Sequence, residues 1–147
     1  AAFARMPGTE VAAGAKERTP GDKVTISSVI GHVTGRDVIV LDDEIAKGST
    51  ILELIRVLRD AGVRSIRVAC THGLFADGAV QRIGGQPDVL EIVCTNTVPI
   101  ADADRHEKLT VLSVAPAIAE AMRRIHDGES VSALFDSSKP VTGKGLF

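Results

Sequence analysis

Two adjacent carboxylates stand at the end of an apolar run and are followed at once by a loop of small and polar residues. The run is DVIVLDD, residues 37–43, in which Asp42 and Asp43 are the acids, and the chain continues as EIAKGST, residues 44–50. Carboxylates accept hydrogen bonds from hydroxyl groups but repel phosphate. The loop has the opposite character, because Gly48 lets the backbone approach a ligand just before a helix whose first N–H groups are unpaired. A sugar phosphate, which carries both vicinal hydroxyls and a phosphate, fits the two parts together.

Side chains of the same loop add donors for an anion. Lys47, Ser49 and Thr50 stand beside the backbone N–H groups, at the positive end of the helix dipole. The segment is not a Walker A loop, because G-x-x-x-x-G-K-[ST] is absent, and it is not G-x-G-x-x-G. The alternative interpretation is that Asp42 and Asp43 only cap a turn and that Lys47 is a solvated charge.

Composition restricts the class of protein. The chain has 147 residues, of which 44% are hydrophobic, and a net charge of -2, which fits one soluble globular domain with a real core and gives no drive toward nucleic acid. No apolar run approaches the length of a membrane span. The opening AAFARMPGTEVAAG lacks the basic start and continuous apolar centre of a signal peptide, so we expect a cytoplasmic protein with no membrane partner.

The elements that position the loop follow from hydrophobic periodicity. DVIVLDD is typical of a strand covered on both faces in a parallel sheet. Thr50 and Glu53 form the pattern of a capping box, and Gly62 stands where a helix C-cap glycine belongs, so a helix is predicted to start near Thr50. Apolar residues at helical spacing within it are Ile51, Leu54, Ile55 and Leu58.

Strands and helices alternate in the rest of the chain. RSIRVACTH, VLEIVCTN and KLTVLSVA predict strands, DGAVQRIGG predicts a short helix, and a last helix is expected from about Pro116 to His126, with Ile118, Met122 and Ile125 on one face. This order predicts right-handed crossovers. The expected fold is α/β, with a doubly wound, mostly parallel sheet and helices on both faces. Residues 1–135 are predicted to form one domain, and residues 136–147 a loosely ordered tail.

Ligands of such a sheet bind outside the carboxyl ends of the strands, which places the chemistry in the turn after DVIVLDD. His72 ends the next strand at the same edge, where it either faces a ligand or makes a structural hydrogen bond to a neighbouring loop. No His or Cys pair has metal-ligand spacing. Cys70 and Cys94 each lie inside a predicted strand and are expected to be buried reduced thiols rather than a disulfide.

Several segments carry a resemblance to a known family. LDDEIAKGST resembles the ribose-phosphate signature of the type I phosphoribosyltransferase fold. THGLFADGA, CTNTVP, LSVAPAIAEAMRRIHDGESVSALF and the upstream AKER followed by VIGHVTGRDVIVLDD resemble the ribose-phosphate diphosphokinase family, in the same order along the chain. The resemblance implies the C-terminal half of an enzyme that transfers diphosphate from ATP to the 1-hydroxyl of ribose 5-phosphate, giving 5-phosphoribosyl 1-diphosphate and AMP.

The resemblance also implies roles for individual residues. Asp42 would hold the ribose hydroxyls with Asp43 beside it, and the loop from Ala46 through Lys47, Gly48 and Ser49 to Thr50 would bind the 5-phosphate. Lys16 and Arg18 match the Lys-x-Arg of a mobile loop, within AKERTPGDK, whose cations engage the phosphates during transfer and contact the substrate. Without the resemblance, both would be read as ordinary surface charges.

Partners and cofactor are implied in the same way. Mg2+ would arrive with ATP and be held mainly by residues outside this chain, in an N-terminal half that also supplies most ATP contacts. A homo-oligomer is implied as well. The beginning AAFARMPGTE suggests truncation, because FARMPGTEVAAGAKER reads like the end of a helix entering a strand.

Two positions depart from the family pattern and keep other functions open. Ala46 replaces an acid or serine, and Lys47 replaces a threonine, while Gly48, Ser49 and Thr50 keep the backbone cradle. A non-catalytic, regulatory paralogue that still binds a phosphorylated ribose is therefore the alternative, although the retained Lys16 and Arg18 argue against it. A nucleobase phosphoribosyltransferase is disfavoured by the THGLF and GESVSALF matches.

Overall fold

The structure is a computed structural model of the chain. It describes residues 10–19 and 23–135, without the side chains of residues 15–19, 23–27 and 135. The predicted tail, residues 136–147, and the opening residues 1–9 lie outside the described residues.

An antiparallel hairpin comes first among the described residues. Its strands are β1 (Ala13–Thr19) and β2 (Lys23–Ile30), and they form a two-stranded sheet of their own. Lys16 lies opposite Ile26 in this ladder, and Arg18 lies opposite Val24. The prediction of a loop over AKERTPGDK was therefore wrong for residues 15–19 and 23. The β-branched residues of VTIS favour an extended partner strand, and pairing imposes the same conformation on AKERT, whose own propensity for strand is low.

The four strands that follow form a parallel sheet. They are β3 (Asp37–Ile45), β4 (Ser65–Gly73), β5 (Val89–Thr95) and β6 (Leu109–Leu112), and their order in the sheet is β3-β4-β5-β6. Each strand pairs in parallel with the next one in the chain. The predicted α/β class with a mostly parallel sheet is confirmed.

Two helices connect parallel strands, and a third follows the last strand. They are α1 (Ser49–Asp60) between β3 and β4, α2 (Ala79–Gly84) between β4 and β5, and α3 (Ala115–His126) after β6, with short 3-10 turns at Ala76–Gly78, Asp102–Asp104 and Val131–Phe135. The predicted positions of all three helices are confirmed to within two residues. Gly62 follows α1 with a φ of 77°, the left-handed conformation expected of a glycine just beyond a helix end.

The buried core lies between one face of the sheet and the helices α1 and α2. Ile55 and Leu58 of α1 and Ile83 of α2 are almost fully buried, together with Val68 of β4 and Ile92 of β5. Burial of this apolar surface is the main force that holds α1 and α2 against the strands. It also fixes the loops at the two helix starts relative to each other.

The opposite face of the sheet is more open in the part of the chain that the structure describes. Ile39 and Leu41 of β3 point away from the core and are about half exposed, at 50% and 53%. The apolar face predicted for α3 is exposed too, at Ile118, Met122 and Ile125. Helices were predicted on both faces of the sheet. Two of them, α1 and α2, contribute residues to the same core and contact each other.

Candidate functional site

Polar residues from three neighbouring strands meet at the carboxyl edge of the sheet. Asp42 lies opposite Cys70 in the β3–β4 ladder, and Glu44 lies opposite His72. His72 in turn forms an isolated bridge with Asn96, just beyond the end of β5. Because parallel strands end at one edge, the acids of β3 stand beside His72 and the Thr95–Thr97 segment, as the sequence predicted for a ligand site.

The paired acids lie within β3 rather than in a turn. The backbone N–H of Asp43 donates to Oδ1 of Asp42, and the N–H of Glu44 donates to Oδ1 of Asp43, both at 3.0 Å. The pKa of Asp43 is lowered, first by its hydrogen bond with the Asp42 carboxyl group, then by the backbone amides, and also by nearby His72. Asp43 is thus a carboxylate at neutral pH, an acceptor suited to hydroxyl groups.

Residues 46–48, here called the phosphate loop, connect β3 to α1. Gly48 caps the N-terminus of α1 with φ 71° and ψ 6°, and no side chain caps this helix. The predicted capping box at Thr50 and Glu53 was therefore wrong: the helix begins at Ser49, so Thr50 already stands inside it. Glycine adopts the left-handed conformation without steric cost. Gly48 therefore occupies the cap position that the pattern assigned to a serine or threonine.

The start of α1 can hold an anion. The first N–H groups of an uncapped helix have no partner within the helix and carry the positive end of its dipole. Ser49 and Thr50 are exposed in this first turn, whereas Gly48 is buried and Ala46 is partly buried. The predicted site residues from Asp42 to Thr50 therefore form one continuous edge, with acceptors on the strand side and donors on the helix side.

Helix α2 encloses the phosphate loop from the other side. A Cβ atom on Gly48 would lie 3.0 Å from Cδ1 of Ile83 and 3.2 Å from Cβ of Ala79, so a larger residue there would press against these side chains of α2. Nη2 of Arg82 donates a hydrogen bond to the carbonyl oxygen of Lys47. Lys47 itself forms an ion pair with Asp77, with 3.2 Å between Nζ and Oδ2.

The turn after β4 is hydrogen-bonded to the end of β3, just before the phosphate loop. Phe75 is 1% exposed, and the N–H groups of Leu74 and Phe75 both donate to the carbonyl of Ile45, at 3.1 and 3.0 Å. A Cβ atom on Gly73 would lie 2.4 Å from Cε2 of Phe75, so the ring needs a glycine beside it. THGLF thus has a structural explanation: it fastens the end of β4 to the end of β3.

His72 makes the structural hydrogen bond that the sequence left as one of two possibilities. Its Nδ1 lies 2.9 Å from Oγ1 of Thr97, and that hydroxyl donates to the carbonyl of Thr71 at 3.0 Å. Oγ1 of Thr95 donates to the same carbonyl at 2.7 Å. The network joins the carboxyl ends of β4 and β5 and holds His72 at the edge of the site.

Sequence reasoning did not identify Phe75, Asp77 and Arg82 as part of this region. Phe75 and Asp77 both have left-handed backbone, with φ of 49° and 57°, a conformation uncommon outside glycine. Local sequence patterns do not predict these contacts, because the contacts join segments about 30 residues apart in the chain. The spacing of Gly73 and Gly78 around the turn was the available signal.

The predicted catalytic pair is placed only in part. Lys16 and Arg18 lie on β1, and β2 of the same hairpin packs against α1. Their side chains lie outside the described residues, so their role stays a prediction.

The two cysteines, the metal-binding side chains and the membrane-spanning potential of the helices were each compared with the sequence predictions. Cys70 and Cys94 are free and buried, as predicted, and burial raises the pKa of the Cys70 thiol to about 12. Among residues 10–14 and 28–134, no group of three or more His, Cys, Asp or Glu side chains is arranged to hold a metal ion. Within the same part of the chain, no helix has the length and apolar character needed to cross a membrane.

Comparison with known families identifies the domain. The family model described as the phosphoribosyl synthetase-associated domain matches residues 7–136, which include every element described above. The chain belongs to this family. The resemblance found in the sequence is thereby confirmed.

Relatives of this phosphoribosyl synthetase-associated domain carry consistent names. A Streptomyces coelicolor protein provisionally named a ribose-phosphate pyrophosphokinase is 71% identical over 137 residues, which are 93% of this chain and 43% of that protein. The ribose-phosphate pyrophosphokinase of Bifidobacterium longum is 38% identical over 131 residues, 89% of this chain and 38% of the relative. The chain therefore spans less than half the length of these relatives.

A solved structure agrees with the fold. The crystal structure of phosphoribosylpyrophosphate synthetase from Mycobacterium smegmatis matches with a TM-score of 0.64 and 38% identity, covering 69% of this chain and 34% of that one. The phosphoribosyl synthetase-associated domain thus shares both sequence and backbone arrangement with part of a longer protein.

Proposed function

We propose that this chain is part of an enzyme that transfers diphosphate from ATP to the 1-hydroxyl of ribose 5-phosphate. The products would be 5-phosphoribosyl 1-diphosphate and AMP. The observation that carries the proposal is the carboxyl edge of β3, where the acids Asp42 and Asp43 adjoin an uncapped helix start at Gly48. Membership of the phosphoribosyl synthetase-associated family and the names of its relatives support this particular sugar phosphate.

The proposed binding mode divides the ligand between the two sides of this edge. The ribose hydroxyls would donate to Asp42 and Asp43, since carboxylates accept such bonds strongly. The 5-phosphate would accept hydrogen bonds from the backbone N–H groups and the hydroxyls of Ser49 and Thr50, where the helix dipole favours negative charge. Acids and phosphate would thus be separated by the length of the phosphate loop, which limits their repulsion.

Transfer itself requires positive charge near the migrating phosphoryl oxygens. We assign this role to Lys16 and Arg18, as the resemblance implies. Cations that close over the transferring group stabilise the transition state and exclude water. Mg2+ would enter with ATP and be held mainly by residues outside this chain, as the resemblance implies.

Phosphorus NMR of the full-length protein with ATP, Mg2+ and ribose 5-phosphate tests the proposal directly. We expect AMP and a sugar-linked diphosphate signal to appear together. Consumption of ribose 5-phosphate without AMP, or no reaction at all, would contradict it. A parallel incubation of the products with free nucleobases distinguishes a phosphoribosyltransferase, which would consume the base.

The assignment of Asp42 has its own test. Asp42→Asn should weaken ribose 5-phosphate binding about tenfold, because a charge-assisted hydrogen bond is worth about 1.5–3 kcal/mol and the amide keeps part of it. Asp22→Asn makes the same charge change in the segment between β1 and β2 and should leave affinity within about twofold. Titration calorimetry of both variants measures the difference, and equal affinities would exclude the proposed role of Asp42.

A non-catalytic paralogue is the second candidate, and one observation favours it. The side chain at position 46 is a methyl group, and Lys47 forms an ion pair with Asp77. Such a protein would bind ribose 5-phosphate and produce no AMP. The NMR experiment combined with calorimetry separates the two candidates.

A further inference from the structure

The ion pair between Lys47 and Asp77 lies beside the proposed phosphate site. Nζ of Lys47 is 3.2 Å from Oδ2 of Asp77, and the two side chains are 72% and 66% exposed. Water therefore reaches both groups, and such a pair is worth little by itself. A ligand with a stronger negative charge can replace the carboxylate as the partner of the lysine.

The backbone beneath Lys47 is held, which limits what can change. The carbonyl of Lys47 accepts a hydrogen bond from Arg82, and the next residue, Gly48, is packed closely against Ile83. Shifting the loop would break these contacts with α2. The lysine side chain, by contrast, is long and solvated, so exchange of its partner needs only rotations about its own bonds.

Asp77 is held as well. It has left-handed backbone with φ 57° and follows Phe75, whose buried ring anchors the turn to the core. The N–H of Phe75 is bonded to the carbonyl of Ile45, the residue that immediately precedes the phosphate loop. The carboxylate of Asp77 is thus kept close to the loop by contacts that do not involve Lys47.

We propose that Asp77 determines the affinity of the phosphate loop for phosphorylated ligands by competing with them for Lys47. This rests on the proposed function, because it takes the start of α1 as the phosphate site. A phosphate bound there must replace Asp77 as the partner of Lys47 and must also tolerate the neighbouring carboxylate. Both effects oppose binding of an anion, and neither acts on an uncharged sugar.

Titration calorimetry with ribose 5-phosphate on the full-length protein tests the competition. Asp77→Asn removes the charge and keeps a residue that tolerates left-handed backbone. We expect it to bind about two- to fivefold more tightly than the unaltered protein, in the range of one exposed ion pair. Lys47→Met should bind more weakly, and adding Asp77→Asn to Lys47→Met should gain clearly less than Asp77→Asn gains with the lysine present, because only the direct repulsion between carboxylate and phosphate is then relieved.

A matched control exists on the far end of α1. Asp60 pairs with Arg56 at 3.3 Å and its side chain is also 66% exposed, so Asp60→Asn makes the same charge change away from the loop. Its affinity should equal that of the unaltered protein. High salt should reduce the gain from Asp77→Asn, because screening weakens exposed charges. Binding of unphosphorylated ribose should not respond to Asp77→Asn.

The outcomes separate the two levels of inference. If the unaltered protein binds ribose 5-phosphate but Asp77→Asn behaves like Asp60→Asn, the competition is excluded and the proposed function stands. An equal gain in the Lys47→Met background also excludes it, because the effect would not pass through the lysine. If the unaltered protein does not bind ribose 5-phosphate, the proposed function and this inference fall together. Asp77→Gly, which suits left-handed backbone, replaces Asp77→Asn if that variant does not fold.

Discussion

The phosphate loop is packed against the rest of the fold, whereas the β1–β2 hairpin contacts it through β2 and α1. Gly48 lies against α2, buried Ile45 immediately precedes the loop, and Arg82 donates a hydrogen bond to the loop backbone. The hairpin has a ladder of its own and joins no strand of the four-stranded sheet. Exposed residues proposed to bind substrate are thus carried by a loop whose backbone is packed against the core, and those proposed to act in transfer lie on an accessory element. The difference predicts that changes in the first region affect stability and binding together, while changes in the second affect turnover alone.

The largest effect is expected below the phosphate loop. Phe75→Ala should lower the free energy of unfolding by about 3–5 kcal/mol, since it empties a buried ring site. Leu74→Ala is the control: the adjacent side chain is 44% exposed and should cost about 1 kcal/mol or less. Urea unfolding of the two variants measures both values. Similar losses would mean that Phe75 does not anchor the turn.

Substitutions on the hairpin should separate turnover from binding. Lys16→Ala and Arg18→Ala are each expected to reduce kcat about 10²- to 10³-fold, the typical loss for one group that stabilises transition-state charge. Stability and ribose 5-phosphate affinity should change little. Steady-state kinetics combined with calorimetry makes the test, and loss of binding with unchanged kcat would contradict the division between the two regions.

A smaller effect is expected at Gly48 itself, and the chain contains a close control. Gly48→Ala should cost about 1–3 kcal/mol for left-handed backbone and weaken ribose 5-phosphate binding, because its Cβ also meets Ile83 and Ala79. Gly35 has nearly the same φ, 70°, but a Cβ there meets nothing within 4 Å. Gly35→Ala should lose stability at the lower end of that range and keep its affinity. Equal affinities for the two variants would show that the contact with α2 does not matter.

The smallest effect concerns α3, which belongs to neither region and shows how little exposed charge contributes. Hydrogen bonds from Arg123 and then Arg124 lower the pKa of Glu120 to about 2. A lowered pKa in the folded state stabilises the protein above the ordinary value near 4.5, and this contribution is lost as the pH falls toward 2. Glu120→Gln should therefore flatten the acid dependence of the urea midpoint slightly. Glu107→Gln, an exposed site with no ion pair among the described residues, should leave the profile as it is.

Much of the fold was predictable because it depends on local patterns. The apolar run of β3, the helical spacing in α1 and the alternation of later elements led to the parallel sheet, and the acids at the end of a strand led to the site. The capping box at Thr50 failed because Gly48, in left-handed conformation, stands at the N-cap and the helix already begins at Ser49. AKERTPGDK was read as a loop because a strand of weak propensity is recognisable only from its partner.

The sequence by itself determined the order of strands and helices from β3 onward, the position of Asp42 and Asp43 at a carboxyl edge, and a helix that starts close to Thr50. These follow from periodicity and from residue types within about ten positions of one another. Only the tertiary structure decided that Arg82 holds the backbone of Lys47, that Asp77 pairs with its side chain and that Phe75 lies under the loop. Those contacts join residues about 30 to 35 positions apart, and burial of the shared core between α1, α2 and the sheet brings them together.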